Sequence, residues 1–207
     1  MRNQYNPDAP IIQFVTKVSY LLWMNCLWLV CCLPVVTIGA STAAFYRMAF
    51  NLREERKCSA GEFFRAFKEN FRHSTVMWLL QMAALFLIGV IYYRGLVIEN
   101  EAVGLGAIII ACIFFIVWGF WFLYTYPLTC YFENTLKRTM ANAMAMSIKH
   151  LRQTIVYFAL AMIPVIALLF SSYWFLRLLY IWILFYPGLA AYWATGILMP
   201  VFEEYSK

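Results

Sequence analysis

The chain has 207 residues, of which 64% are apolar, 19% aromatic and only 13% charged. Soluble domains contain about 45–50% apolar and about 25% charged residues, so this composition excludes an ordinary soluble domain. The net charge of +6 does not indicate nucleic-acid binding, because lysine and arginine in a membrane chain first report orientation and contact with anionic headgroups.

Five apolar segments are long enough to cross a bilayer as helices, in which every backbone polar group finds a partner. The predicted spans are residues 15–38, 76–93, 104–126, 154–170 and 178–199. The segments between them are too short for a soluble domain, which usually needs more than about 50 residues. The predicted fold class is therefore all-α, a polytopic helical membrane protein in which residues 1–207 form a single membrane domain.

The first span contains Asn25, whose amide is expected to form a hydrogen bond with another helix. The polar residue of the second span is Gln81. After Pro34, residues 40–57 keep a helical pattern but gain charges. This pattern predicts a helix that emerges from the membrane into water.

Residues 59–74 predict an amphipathic helix that begins with a capping box at Ser59 and Glu62. At 100° per residue its phenylalanines share one face and its charges the other, which favours a helix on the cytoplasmic membrane surface. A docking helix for a cytoplasmic partner is the alternative. The candidate membrane or partner face comprises Phe63, Phe64, Arg65, Phe67, Lys68, Asn70, Phe71 and Arg72.

A second cytoplasmic surface helix is predicted before the fourth span, with Met144, Ile148 and Leu151 on its apolar side. In the emerging helix that precedes it, Glu133 has the helical spacing needed to pair with Lys137.

The distribution of basic residues predicts the orientation. The connection at residues 37–75 holds seven Lys or Arg and the one at 127–153 holds four, whereas the connections at 94–103 and 171–177 hold one each. Because basic connections stay in the cytoplasm, we expect the N-terminus outside and the C-terminus inside.

An internal repeat is suggested by the alignment of residues 67–76 with residues 148–156, after one gap. Pro34, Pro127 and Pro187 each follow late in an inward-running helix. The predicted unit is an inward helix, a proline, an emerging helix, a surface helix and an outward helix, which makes a parallel rather than an inverted repeat.

Three short motifs carry a resemblance to a known family. They are Asn6-Pro7-Asp8, Leu33-Pro34-Val35-Val36-Thr37-Ile38-Gly39, and Phe63-Phe64 with Phe67-Lys68 and Asn70-Phe71. With them the chain resembles the YesL family, bacterial integral membrane proteins built around a domain of unknown function. The resemblance implies a bacterial plasma-membrane protein with a role in carbohydrate uptake or its regulation, and it supplies no catalytic residues.

No catalytic or nucleotide-binding motif is present in the sequence: it has no GxxxxGK[ST] loop, and His73 and His150 are its only histidines. The six cysteines show neither a CxxC pair nor metal-ligand spacing and are predicted to pack in the spans. We therefore expect no enzyme activity, no cofactor and no metal. The candidate functional motif is Pro34, Thr37, Gly39, Ser41 and Thr42, because a proline and small hydroxyl residues let a helix bend or another helix approach; plain helix packing is the alternative.

Two functions remain open. One is a non-enzymatic accessory protein that contacts a sugar ABC transporter or a membrane sensor through its cytoplasmic surface helices. The other is a small transporter or permease acting on its own, for which a polar cavity open to one side would be the main support.

Overall fold

A computed structural model describes residues 10–177 and 179–205, so the Asn6-Pro7-Asp8 motif lies outside the described residues. The helices are α1 (Pro10–Cys32), α2 (Ile38–Arg53), α3 (Ala60–Val97), α4 (Glu101–Tyr131), α5 (Leu136–Lys149), α6 (Leu151–Phe170), α7 (Ser172–Arg177) and α8 (Leu179–Tyr205). The all-α class is confirmed: the two described ranges contain no strand, and α1, α3, α4, α6 and α8 are each long and apolar enough to cross a membrane.

Pro34 ends the first helix earlier than predicted. Helix α1 stops at Cys32, Pro34 has extended backbone angles (φ −77°, ψ 116°), and a short 3-10 turn covers Val35–Thr37 before α2 begins. The prediction of one span through Ile38 is wrong, because proline has no N–H and its ring disfavours a helical conformation in the residue before it.

Helix α2 is the central helix of the structure and does not emerge into water as predicted. Eleven of its 16 residues are buried, and it packs against α1, α3, α4 and α8. Its small side chains allow this, since Ala40, Ala43, Ala44 and Ala49 are fully buried. Among the charges read as a sign of solvent, Arg47 and Arg53 are partly buried within α2, and Arg53 stacks on the Tyr192 ring at 4.3 Å. The charges that follow the helix, Glu55, Arg56 and Lys57, are exposed.

The predicted surface helix at residues 59–74 is not a separate element. It is continuous with the second span in α3, whose 38 residues have a length of about 57 Å at 1.5 Å per residue. The N-terminal signal was read correctly, since the Ser59 hydroxyl accepts a hydrogen bond from the Glu62 N–H at 3.3 Å. A helix of this length exceeds the hydrocarbon core of about 30 Å, so one end of α3 projects beyond it.

Helix α4 passes through Pro127 and ends at Tyr131, so the predicted end of the third span at Pro127 is wrong. Residues 132–135 are non-helical and separate α4 from α5. This break removes the helical spacing between Glu133 and Lys137, and no salt bridge joins them among the described residues.

Helix α5 is present as a separate short helix, and the face that it packs against the protein is not the predicted apolar side of Met144, Ile148 and Leu151. Thr139, Ala143, Met146 and Ser147 are buried, whereas Ile148 is 64% exposed. Ile148 and Leu151 are exposed, so their contact with the membrane surface stays a prediction.

Helices α6 and α8 match the fourth and fifth predicted spans closely. Each contains a proline that leaves the carbonyl four residues earlier without its helical partner. In α6, the Leu160 carbonyl before Pro164 accepts a hydrogen bond from the Tyr186 hydroxyl. In α8, the Ile183 carbonyl before Pro187 accepts one from the Asn25 amide at 2.8 Å.

The two segments aligned as a repeat have different structures. Residues 67–76 lie within the continuous helix α3, whereas residues 148–156 contain the boundary between α5 and α6 at His150. The order of a long helix, a short helix and a second long helix does occur in both halves, so a repeat stays a prediction.

Candidate functional site

The candidate motif around Pro34 forms the contacts that hold the turn between α1 and α2. The Thr37 hydroxyl donates to the carbonyls of Cys31 at 2.5 Å and Pro34 at 2.7 Å. The Ser41 hydroxyl donates to the Trp28 carbonyl at 3.0 Å. The Thr42 hydroxyl accepts from the indole nitrogen of that tryptophan at 3.2 Å, so the hydroxyl residues join α1 to α2.

Gly39 is placed at a close crossing of α2 and α3. A Cβ added there would lie 2.3 Å from the Ser74 carbonyl oxygen and 2.8 Å from the Trp78 Cβ. Any larger residue would therefore push the two helices apart. These contacts are all contacts within the turn or between packed helices, and a functional role of the motif stays a prediction.

The phenylalanines of the predicted partner face do not share one environment. Phe63 is fully buried against α1 and α2, whereas Phe64 is 49% and Phe71 39% exposed. Phe67 is partly buried and packs on the Phe71 ring at 5.6 Å. Among the polar members, Arg65, Lys68 and Arg72 are exposed and Asn70 is half-buried.

A polar cleft of about 790 Å³ lies beside this segment, where α2, α3 and the α4–α5 connection meet. Helix α3 contributes Ala66, Glu69, Asn70 and His73, whose spacing of three, one and three residues is that of one helix face. The remaining lining residues are Arg47 of α2 and Thr129, Cys130, Tyr131, Phe132, Glu133, Asn134 and Thr135.

None of the charged side chains that line the cleft forms a salt bridge with a described residue. Arg47 donates to the Cys130 carbonyl at 2.9 Å, which ties α2 to the end of α4. Neither Glu69 nor Glu133 forms a salt bridge with any described residue. The Nε2 atom of His73 is buried and has no hydrogen-bond partner among the described residues. The cleft therefore offers both carboxylate acceptors and a nitrogen that lacks a partner.

The polar side chains in the middle of the bundle, by contrast, are used in helix contacts. Gln81 is fully buried, donates to the Thr125 hydroxyl at 3.0 Å and accepts from the Tyr126 hydroxyl at 2.7 Å. Asn25 is also fully buried and donates to α8, as predicted for an amide in a span. These amides fasten α3 to α4 and α1 to α8.

Sequence reasoning did not single out this cleft. Arg47 was read as part of a helix in water, and Glu69 as one of several charges on a surface helix. A usable signal was the spacing of Glu69, Asn70 and His73 on one face of a helix, but nothing in the sequence predicts that residues 129–135 lie opposite them. The described residues include no group of three or more His, Cys, Asp or Glu side chains that could hold a metal ion.

The long apolar helices, with polar side chains paired between them and charges gathered at the cleft, define a multi-pass helical membrane protein. Residues 21–93 match the model of a family described as "Protein of unknown function, DUF624". The match covers α2, the second half of α1 and nearly all of α3, including Arg47, Glu69, Asn70 and His73 of the cleft. Searches of curated proteins and of solved structures gave no match.

Proposed function

We propose that this protein is a non-enzymatic accessory or regulatory membrane protein that binds a partner at the end carrying the polar cleft. The observation that supports the proposal best is the cleft itself, with two carboxylates that have no ion pair within residues 10–177 and 179–205, beside exposed charges of α3. A large cleft in which polar groups converge is a candidate binding site. The family resemblance suggests the partner: a sugar ABC transporter or a membrane sensor, in carbohydrate uptake or utilisation.

The first half of α3 extends this binding surface. Arg65, Lys68 and Arg72 are exposed, as are Phe64 and Phe71, so charged and aromatic side chains alternate next to the cleft. Aromatic residues and arginine are enriched in protein interfaces. The orientation predicted from basic residues would place this surface in the cytoplasm of a bacterial cell.

Copurification from native membranes tests this proposal. The intact protein should retain a transporter or sensor component, and the double variant E69Q/E133Q should lose most of it, because the partner's cationic groups lose two acceptor charges. The matched control is E99Q/E101Q, which removes two exposed carboxylates at the opposite ends of α3 and α4. Equal recovery of the partner with both double variants would contradict a role for the cleft.

A transporter acting on its own is the second candidate, and the cleft is the observation that favours it, since transport needs a polar cavity open to one side. The buried contacts of Gln81 with Thr125 and Tyr126 lie between α3 and α4 beyond the cleft and would have to open. Flux of labelled sugars into proteoliposomes decides this case: uptake that requires only this protein supports transport, and its absence with correctly folded protein favours the accessory role.

A further inference from the structure

The direction of α1 relative to its neighbours has a consequence for membrane topology. Near the Pro34 turn, Trp28 of α1 contacts Ser41 and Thr42 of α2. At the other end, Val15 lines the same surface depression as Cys58, which follows α2. Helices α1 and α2 are therefore an antiparallel hairpin, and the start of α1 lies beside the loop that leads into α3.

The contacts between α1 and α8 independently indicate at which end of the molecule α1 begins. Asn25 donates to the carbonyls of Ile183 and Leu184, and a Cβ on Gly188 would lie 3.1 Å from the Leu21 carbonyl oxygen. Residue numbers rise along α1 as they fall along α8, so the two helices are antiparallel. The start of α1 thus lies at the end of the molecule where α8 finishes.

The turn of this hairpin is suited to hydrocarbon. Leu33, Val35 and Val36 are 80%, 66% and 52% exposed, and residues 18–46 contain no charged side chain. Several polar groups of the turn are bonded internally: Thr37 donates through both its N–H and its hydroxyl to the Pro34 carbonyl, and the Ile38 N–H donates to the Val35 carbonyl. Internal hydrogen bonds of this kind and exposed apolar side chains are the features that favour a position in the bilayer.

The surroundings continue this apolar surface. Trp78 of α3 lies against Gly39, just after the turn, and the next residues Leu79 and Leu80 are 53% and 44% exposed. Helix α2 needs no apolar outer face of its own, because α1, α3, α4 and α8 surround it. Its moderate hydrophobicity is thus compatible with a position inside the membrane.

We infer that the α1–α2 hairpin enters the bilayer from the side that carries the polar cleft, with the acyl chains of the lipid covering Leu33, Val35 and Val36. The start of α1 and the end of α8 then lie on the same side of the membrane. This departs from the orientation expected from five spans, which put the two chain ends on opposite sides, because α2 supplies a further membrane-inserted segment. The inference does not depend on the proposed partner.

A split fluorescent-protein assay in the native cell type tests on which side of the membrane each chain end lies. A short complementing tag is placed before residue 1, after residue 207, or after Glu99 in the exposed connection between α3 and α4, and the large fragment is expressed in the cytoplasm. We expect the first two tags to give the same result and the Glu99 tag the opposite result. A tag before residue 1 that matches the Glu99 tag and differs from the C-terminal tag would overturn the inference.

Thiol labelling tests the position of the turn. V35C should add no label from a membrane-impermeant maleimide, applied to either face of membrane vesicles, until detergent is added. E55C, in the exposed loop at the base of the hairpin, is the matched control and should add one label from the cleft side only. The parent protein with its native cysteines sets the baseline. Labelling of V35C in intact vesicles, or a disulfide between two V35C copies, would show that water or a second copy covers the turn and would overturn the inference.

Discussion

Gly39→Ala is the most direct test of the packing that holds α2 in the centre of the protein. The added methyl group would lie 2.3 Å from the Ser74 carbonyl oxygen, and an ordinary contact begins at 3.4 Å. The helices must therefore separate by about 1.1 Å at this crossing, because a backbone carbonyl cannot turn away as a flexible side chain can.

Overpacking of this kind costs about 1–3 kcal/mol, and the involvement of backbone places Gly39→Ala near the upper end. Helix propensity acts in the other direction, since alanine is favoured over glycine by about 0.5–1 kcal/mol inside a helix. The steric term is larger, so we expect a net loss of stability. Heating the detergent-solubilised protein and following the monodisperse peak by size-exclusion chromatography measures that loss as a lower midpoint temperature.

Gly89→Ala is the matched control, because it makes the same substitution in a membrane helix where no atom lies within 4 Å of the new Cβ. Its midpoint should equal or slightly exceed that of the parent. If Gly39→Ala were as stable as Gly89→Ala, α2 and α3 could not cross as closely as described, and the packing interpretation of the Pro34 motif would fail with it.

Three further predictions concern Asn25, Glu55 and Cys58. Asn25→Leu should lower the midpoint temperature, because the Ile183 carbonyl loses its donor and a buried unpaired carbonyl costs about 1–3 kcal/mol. Glu55→Gly should raise it by the equivalent of about 1 kcal/mol, because this residue ends α2 with φ 55°, a left-handed conformation that glycine adopts without strain. Burial raises the pKa of the Cys58 thiol, so less thiolate is present at pH 8 and its alkylation, followed by mass spectrometry, should be slower than that of a free cysteine and should keep rising at higher pH.

Each of these predictions has its own control. Adding Pro187→Ala to Asn25→Leu restores a helical N–H to the Ile183 carbonyl, so the double variant should recover part of the lost stability, and no recovery would refute the pairing. Glu55→Ala keeps the left-handed strain and should gain nothing. The alkylation rate of E55C, at an exposed position, provides the reference for Cys58, and equal rates would argue against its burial.

The long spans could be predicted from the sequence because lipid-facing helices expose their apolar side chains along their whole length. Helix α4 shows this well, with Val103, Leu105, Ile109 and Ile113 all more than half exposed in the isolated chain. The capping box at Ser59 was equally readable, since it depends on neighbours in sequence alone. The same local rules could have predicted that the first helix ends near Pro34. The predicted span continued to residue 38 because the apolar run extends past the proline.

The position of the cleft and the burial of each phenylalanine at residues 63–71 could not be predicted from neighbouring residues in the sequence. Phe63 and Phe64 are adjacent in sequence, yet one is fully buried and the other 49% exposed, because α2 covers only one side of α3. The cleft needs Glu69 on α3 and Glu133 in the α4–α5 connection to face the same space, and their separation of 64 residues carries no periodic signal. Such sites depend on which helices are neighbours, and that is decided by close crossings such as the one at Gly39.

Helix α2 shows why the number of spans recognised by their hydropathy can be smaller than the number of helices inserted in the membrane. The mean hydropathy of a segment indicates how well it is suited to contact with lipid. Helix α2 is enclosed by four other helices and therefore contacts protein rather than lipid, so its hydropathy does not decide whether it lies in the membrane. There Arg53 can lie on the Tyr192 ring and donate to the carbonyl of that residue, while Gly196 leaves room for the guanidinium group at 2.7 Å from the position a Cβ would take. Charges within α2 therefore do not exclude it from the membrane, provided that each finds a partner of this kind. On the inference above, α1 begins on the same side of the membrane as the end of α8, as its antiparallel contacts with α2 and α8 indicate.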